Sequence, residues 1–456
     1  MFKYLKRTNI IGIMIIMTLT LLVSPLSEHQ AKAAGPDINA KSAILIDAET
    51  GKILYSKNVD TKLPPASMSK IMTEYLVNKY IAEGKLKWDS KVTVGDYANQ
   101  ISNQPDYSKV PLRPDYQYTV RELYEGMAIS SANGATIALA AKIAGSEKEF
   151  VKIMNNTADK LGMEKAEFVN STGLNNSDLL GNYHTGNKDD GNSLSARALA
   201  KLAYHFINEY YVGGKAQEIS STAVKNFKAG IEGQPFKMVN VNWMLPGFSS
   251  QTQNMSAYEY KGVDGLKTGY TNLAKYCFTG TVEQNGRRLI SVVMGTDSKS
   301  ARFLETKKLY DYGFNQFEQT TIVKDGYQFK DHKNIPVLKG KEDHVGIEVK
   351  GDIKTVVSSG QADNFKPVLH LDQSKLNDDG ELTAPVKKGD KVGYVTLKYT
   401  GDQKQSGYLY KDQLKAPVVV ADDVDKANWF VLTFRSVGHF FSGLFSSAVD
   451  FVTGLF

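Results

Sequence analysis

The chain has 456 residues, 42% of them hydrophobic and 23% charged, with a formal net charge of +6. That length leaves room for two or three domains with a sizeable core, and the weak positive balance gives no reason to expect a nucleic-acid partner. A single cysteine, Cys277, excludes an intrachain disulfide, and its apolar setting in "KYCFTGT" marks it as a buried structural thiol and not a nucleophile.

In chain order, Lys3, Lys6 and Arg7 precede the uncharged apolar stretch Ile10 to Val23, and Ala31-Lys32-Ala33 supplies a small-x-small cleavage pattern. Residues 1–33 are therefore expected to be an export signal, with the mature chain starting at Ala34. Its removal lowers the formal charge to +3, because Lys3, Lys6, Arg7, Lys32 and Glu28 go with it. "SAILIDAETGKILYSKN" (42–58) is two apolar runs around Glu49-Thr50-Gly51, a hairpin. Pro64-Pro65 suits a helix start, which puts Ser67 in or near the first turn. Thr119 and Glu122 stand at capping-box spacing ahead of a helical run to Ile129. Further helices are expected over 133–145 and 195–207, with Ser130-Ser131-Ala132 at a junction.

After residue 260 the pattern turns strand-like in "GVDGLKTGYT", "KYCFTGTVEQ" and "RRLISVVMGT", the last two joined by Asn285-Gly286, a strong hairpin signal. A helix follows over 299–314. Helices between an early hairpin and late strands predict one α/β (α+β) domain, 34–320, whose antiparallel sheet draws on both ends of the segment. From 321 to 421, short strands broken by Gly, Asp and Pro predict a small all-β domain. Residues 422–456 form an amphipathic tail: Phe430, Phe434, Val437, Phe441, Leu444, Phe445, Ala448, Val452 and Leu455 share about a third of a helix circumference. The expectation is a helix lying in a membrane interface, with on the order of 10 kcal/mol available from that face as an upper bound.

The histidines and one polar stretch give little. The seven histidines form no pair at metal-ligand spacing, and "HTGNKDDGN" (184–192) reads as a loop. With no Gly-rich phosphate loop either, the chemistry is expected to need no metal and no cofactor.

Three short motifs do carry chemistry: Ser67-Met68-Ser69-Lys70, Ser131-Ala132-Asn133 and Lys267-Thr268-Gly269. The first and third each occur once in the chain. The ordered set SxxK, SxN, KTG is the signature of penicillin-binding proteins and serine β-lactamases. Serine needs an adjacent base, and Lys70 lies one helical turn from Ser67 on the same face. A lysine is a base only when neutral, which burial and a second cation, Lys267, both favour. Ser131 can relay a proton to the leaving amine, and Asn133 can hold the substrate amide and orient Lys70. Lys267 and Thr268 on an edge strand suit a terminal carboxylate, Gly269 would let a substrate backbone approach, and backbone N–H groups of Ser67 and Tyr270 suit an oxyanion hole. Ser69 is a rival nucleophile without a base three residues on. Tyr107, Tyr116 and Tyr118 are expected to pack or line a rim.

On these motifs, together with "AILIDAETGKILYSKN", "FVNSTGL" (168–174) and "FLETKKLYDYGF", the chain resembles the low-molecular-weight penicillin-binding proteins that act as serine D-alanyl-D-alanine carboxypeptidases. The resemblance extends to the β domain and the amphipathic tail. It implies removal of the terminal D-alanine from peptidoglycan pentapeptide stems through an acyl-enzyme on Ser67, acylation of the same serine by β-lactam antibiotics, and helices packed on an antiparallel sheet. It also implies attachment to the outer face of the cytoplasmic membrane through the tail. Two departures stand out: Ala198 where the family usually has an acid, and the polar loop 175–192. The residues alone leave open a non-turnover β-lactam sensor or wall-binding protein, a transpeptidase or a β-lactamase, although no glutamate stands at the spacing of a deacylating base.

Overall fold

The computed structural model describes residues 35–252, 255–358, 360–401, 407–410 and 414–429. The expected export signal and the amphipathic face of the tail, which begins at Phe430, lie outside the described residues. Among those residues no helix is long and apolar enough to cross a membrane.

Strands β1 (Ser42–Asp47) and β2 (Ile53–Lys57) form the expected hairpin. They join β7 (Val263–Thr271), β8 (Lys275–Gln284) and β9 (Arg287–Thr296) in an antiparallel sheet of order β2-β1-β9-β8-β7. The two ends of the domain meet where β1 pairs β9, with Ile44 opposite Val292. Asn285 and Gly286 have φ of 52° and 75°, the paired positive values of a tight hairpin turn, which fixes the β8–β9 register. This sheet is covered on both faces. Ile44, Ile46, Ile290 and Val292 pack towards the helical side, while Leu45, Leu289, Val293 and Phe278 pack with Phe303, Leu309 and Tyr310 on the other. Burial on both faces is why "SAILID" reads as a continuous apolar run.

On the helical side, a 3-10 turn (Ala66–Ser69) leads into α1 (Lys70–Ala82). The small hairpin of β3 (Lys91–Thr93) and β4 (Gln117–Thr119) brackets α2 (Asp96–Ser102). Helices α3 (Val120–Ser130), α4 (Asn133–Ala144), α5 (Glu147–Lys160) and α6 (Ala196–Phe206) follow. The capping box at the head of α3 is made as the spacing predicts: Thr119 accepts from the Glu122 N–H at 3.2 Å, and the Thr119 N–H donates to Glu122 Oε2 at 2.7 Å. Helix α6 runs into one π turn (Ile207–Tyr211), then α7 (Lys215–Ser220), the β5 (Val224–Phe227) and β6 (Phe236–Val239) hairpin, and short α8 (Phe248–Gln251). Helix α9 (Ala301–Gln316) covers the opposite face of the sheet.

Strand β10 (Phe317–Val323) follows α9 directly, so the β domain starts at residue 317 and not 321. It pairs with β13 (Ile353–Ser358). Strands β11 (Asn334–Leu338), β12 (His344–Val349), β14 (Phe365–Leu371), β15 (Leu382–Thr383), β16 (Lys391–Tyr399) and β17 (Lys415–Val420) form a sheet of order β14-β16-β17-β12-β11-β15. Alternation in β12 turns Val345, Ile347 and Val349 into a core of its own with Val323, Ile335 and Val418. The domain extends past residue 421. Val424 bridges Val386, Lys426 bridges Gly340, and the Ala427 N–H donates to the Lys339 carbonyl at 2.9 Å.

One connection was not expected. Residues 407–410, between β16 and β17, return to the catalytic domain, where the Leu409 N–H donates to the Gly51 carbonyl at 3.0 Å. Leu409 is buried in the helical-side core, and Tyr410 donates to the Leu161 carbonyl at 2.8 Å. The β domain thus covers the outer edge of the catalytic sheet beside β2, a pairing surface that would otherwise be open.

Candidate active site

The 3-10 turn sets Ser67 at the N-terminal end of α1, and the helix register places Lys70 beneath it. Lys70 has no exposed surface, and its Nζ lies 2.7 Å from Ser67 Oγ, 2.7 Å from Asn133 Oδ1 and 2.8 Å from the Thr172 carbonyl. A neutral amine has two N–H donors and one lone pair. Asn133 Oδ1 and the Thr172 carbonyl can only accept, so the lone pair is left for the one partner that can also donate, Ser67. Burial holds the Lys70 ammonium well below the usual lysine range, and the Lys267 charge pushes the same way.

Lys267 comes from β7, the edge strand. It is also buried, and its Nζ lies 2.8 Å from Ser131 Oγ and 3.2 Å from the Thr268 carbonyl. Burial lowers Lys267 too, while Glu74 pulls it back up. Ser131 closes α3 in the left-handed region at φ 58°, a conformation uncommon for a non-glycine residue and typical of functional turns. The turn is fixed on both sides: the Ala132 N–H donates to the Gly126 carbonyl at 3.0 Å and the Asn133 N–H to the Ser108 carbonyl at 2.9 Å.

These groups surround a cavity of 390 Å³ lined by Ser67, Ser131, Asn133, Thr268, Gly269 and Tyr270, with Tyr107 and Arg302 at its wall. All eight residues named from the motifs are therefore in one place, six on the lining and Lys70 and Lys267 bonded to lining serines. Tyr107 reaches the cavity and donates to the Asp178 carbonyl at 2.7 Å. Tyr118 is buried, Tyr116 is exposed, and their rings pack edge to face. Ser69 is fully buried and accepts from Asn192 Nδ2 at 2.8 Å, so it holds the scaffold and does not face the cavity.

Gly269 has a reason of its own besides the one expected. A Cβ there would stand 2.5 Å from the Pro65 carbonyl and 3.3 Å from Ala66 Cβ. The missing side chain lets β7 close against the turn that carries Ser67, a packing need of the chain itself.

Three residues at the site have no motif. Thr172 offers its carbonyl to Lys70 because Asn170 Oδ1 accepts from the Thr172 and Gly173 N–H groups at 3.1 and 2.8 Å. Gly173, at φ +81°, passes so close that a Cβ would be 1.9 Å from the Ala66 carbonyl. Arg302, on the first turn of α9, is 3% exposed and donates only weakly, 3.3 Å to the Gly269 carbonyl. Its Nε has no partner among the described residues, and burial lowers its pKa to about 10. A guanidinium on the cavity wall that makes no ion pair among the described residues is arranged for a carboxylate. Glu74, one turn beyond Lys70, is the third. The nearest hint to these in the sequence was "FVNSTGL"; nothing local marked Arg302 or Glu74.

Among the described residues no group of three His, Cys, Asp or Glu side chains is placed to hold a metal. Burial pushes the Cys277 thiol up to about 11, away from the thiolate a nucleophile needs. Ala198 is the third residue of α6, where its N–H donates to Ser195 Oγ at 3.1 Å; an acid at this position could complete a capping box.

Fold and site together are those of an active-serine hydrolase. Residues 28–298 match the D-alanyl-D-alanine carboxypeptidase family, and residues 317–426 match the C-terminal domain of penicillin-binding protein 5. The chain is 30% identical to the D-alanyl-D-alanine carboxypeptidase DacF of Bacillus subtilis, over 96% of this chain and 98% of that one. It is 32% identical to DacC of Escherichia coli, over 87% and 86%. A solved structure of a peptidoglycan synthesis regulatory factor, PBP3, from Streptococcus pneumoniae superposes with a TM-score of 0.68 at 34% identity, covering 86% of this chain and all of that one. The chain belongs to the D-alanyl-D-alanine carboxypeptidase family, among the low-molecular-weight penicillin-binding proteins.

Proposed function

We propose that the protein removes the terminal D-alanine from peptidoglycan stem peptides through an acyl-enzyme on Ser67. The observation that carries this reading is Lys70: buried, with its Nζ 2.7 Å from Ser67 Oγ and at 2.7 and 2.8 Å from two groups that can only accept, an arrangement that suits a neutral amine with its lone pair towards Ser67. Ser67 Oγ attacks the penultimate D-Ala carbonyl as its proton passes to Lys70, and the backbone N–H groups of Ser67 and Tyr270 receive the oxyanion. The proton taken up by Lys70 is passed on to the leaving amine through Ser131, which Lys267 holds in place, so Ser131 keeps its hydroxyl and Lys70 is again a free base. The C–N bond breaks, D-alanine departs, and water then hydrolyses the ester to free Ser67. Lys267, Thr268 and Arg302 supply the positive, donor-rich wall for the substrate's terminal carboxylate, and Asn133 holds its amide. A β-lactam presents a strained amide and a carboxylate to the same groups and acylates the same serine.

The reading includes export and attachment to the outer face of the cytoplasmic membrane through the amphipathic tail, supported by the one-sided pattern after Phe430. Because residues 422–427 are tied to the β domain, the deletion that tests this is 430–456. Loss of membrane association on fractionation is expected; persistence would refute the anchor. The activity is tested by D-alanine release from L-Lys-D-Ala-D-Ala with Ser67→Ala as control. Release is expected from the parent and absent in the variant, and full activity in the variant would refute Ser67 as nucleophile.

A further inference from the structure

Lys70, Glu74, Lys267 and Arg302 are each no more than 3% exposed. Burying a charge is costly unless it is paired, yet three of these four are basic side chains and only one is acidic. Lys70 and Glu74 are four residues apart on α1 and so share its inward face. Tyr124 of α3 donates to Glu74 Oε2 at 3.2 Å, and its own oxygen accepts from Asn78 Nδ2 at 3.1 Å. The other ionisable groups acting on Glu74 or feeling its charge are Lys70, Lys267 of β7 and Tyr211 of the π turn, while Arg302 of α9 bears on Lys267. Among the described residues Glu74 is the one carboxylate that acts on both lysines.

Building on the carboxypeptidase reading above, we propose that Glu74 is a positioning residue for acyl transfer: its carboxylate is the counter-ion of Lys267, keeping that lysine charged for the substrate and leaving Lys70 as the lysine that gives up its proton. Two lysines with one buried carboxylate can be neutral overall only when one of them is unprotonated. Lys70 is that one, because its two fixed acceptors and the Ser67 hydroxyl satisfy a neutral amine completely, whereas Lys267 faces the Ser131 oxygen and the Thr268 carbonyl beside the carboxylate wall. Burial raises Glu74 above the usual carboxylate range and Lys267 draws it back down, as expected for a pair that shares one charge balance.

The test is the pH profile of acylation by benzylpenicillin and of D-alanine release, for the parent, Glu74→Gln, Glu74→Asp and Tyr124→Phe. Without the carboxylate both lysines hold protons less tightly. The acid limb, set by Lys70, and the alkaline limb, set by Lys267, should both move to lower pH in Glu74→Gln by about one to three units. Glu74→Asp should return both limbs towards the parent. Tyr124→Phe, which removes one donor from the carboxylate, should move them the same way by less. A role limited to packing lowers melting temperature or overall rate and leaves the limbs in place; limbs that coincide with the parent's in Glu74→Gln would overturn the proposal. If Glu74→Gln does not accumulate as folded protein, unmoved limbs in Tyr124→Phe overturn it. A parent that is acylated but releases no D-alanine contradicts the carboxypeptidase reading and leaves the acylation profiles to decide on Glu74.

Discussion

Arg302→Met probes substrate recognition with little risk to the fold. The guanidinium is buried, its Nε is unpartnered among the described residues, and its bond to the Gly269 carbonyl is long at 3.3 Å. Replacing a buried, incompletely satisfied charge by an apolar side chain of similar length is often neutral or stabilising, so the melting temperature should not fall appreciably. A hydrogen bond to a charged group contributes about 1.5–3 kcal/mol. At about 1.4 kcal/mol per tenfold, kcat/KM for a peptide ending in free D-Ala-D-Ala should drop roughly 10- to 150-fold. The C-terminal amide of the same peptide has no carboxylate to lose, and its slow turnover should change by less than about threefold. The assay is D-alanine or D-alaninamide release by chromatography, with the ratio of the two substrates as readout. An equal loss on both substrates would refute the carboxylate role and make Arg302 a support for β7.

Ser69→Ala removes the acceptor for buried Asn192 Nδ2, which also donates to the Asn170 carbonyl at 3.0 Å; a loss of about 1–2 kcal/mol in denaturant unfolding is expected, with stoichiometric penicillin binding retained. Binding abolished at unchanged stability would make Ser69 chemical after all. Gly173→Ala places a Cβ on the Ala66 carbonyl at a positive φ, and should cost about 3 kcal/mol or more while slowing acylation through the displaced Thr172 carbonyl. Burial and Lys267 both lower the Lys70 pKa, so acylation should persist below the usual lysine range and fall as pH drops through that lowered value, where the amine gains a proton and can no longer accept one. Lys70→Arg, which cannot deprotonate, should be inactive across the range, and an active variant would remove Lys70 as base.

The parts of the site that sequence made legible are those whose chemistry sits within one turn of chain. Ser67 and Lys70 lie three apart at a helix start, Ser131 and Asn133 flank a helix junction, and Lys267 to Gly269 follow along a strand, so local periodicity already aims them together. Asn285-Gly286 and the Thr119–Glu122 pair were legible for the same reason: a turn or a cap is specified by its own residues. Arg302, Glu74 and Thr172 were not, because each matters only through a tertiary neighbour. Arg302 reads as one more basic residue in "KSARFLETKK" until α9 is laid against β7. Glu74 reads as an ordinary helix former until α1 is buried on every side. The domain limits slipped by a few residues for a related reason. Phe317–Val323 is short and carries four consecutive polar residues, Glu318 to Thr321, and Val424 and Lys426 are held by single bridges far along the chain. Leu409 lies in a segment with no apolar period of its own, and its place in the catalytic core depends wholly on where the hairpin of β1 and β2 already is.

The most direct measurement follows D-alanine release from L-Lys-D-Ala-D-Ala while benzylpenicillin is added in substoichiometric steps, with mass spectrometry of the labelled peptide. Release should fall in proportion to the penicillin bound and cease at one equivalent, with the adduct on the peptide that carries Ser67. Penicillin bound on Ser67 without any release from the untreated protein, or release that continues after full acylation, would contradict an acyl-enzyme carboxypeptidase centred on that serine.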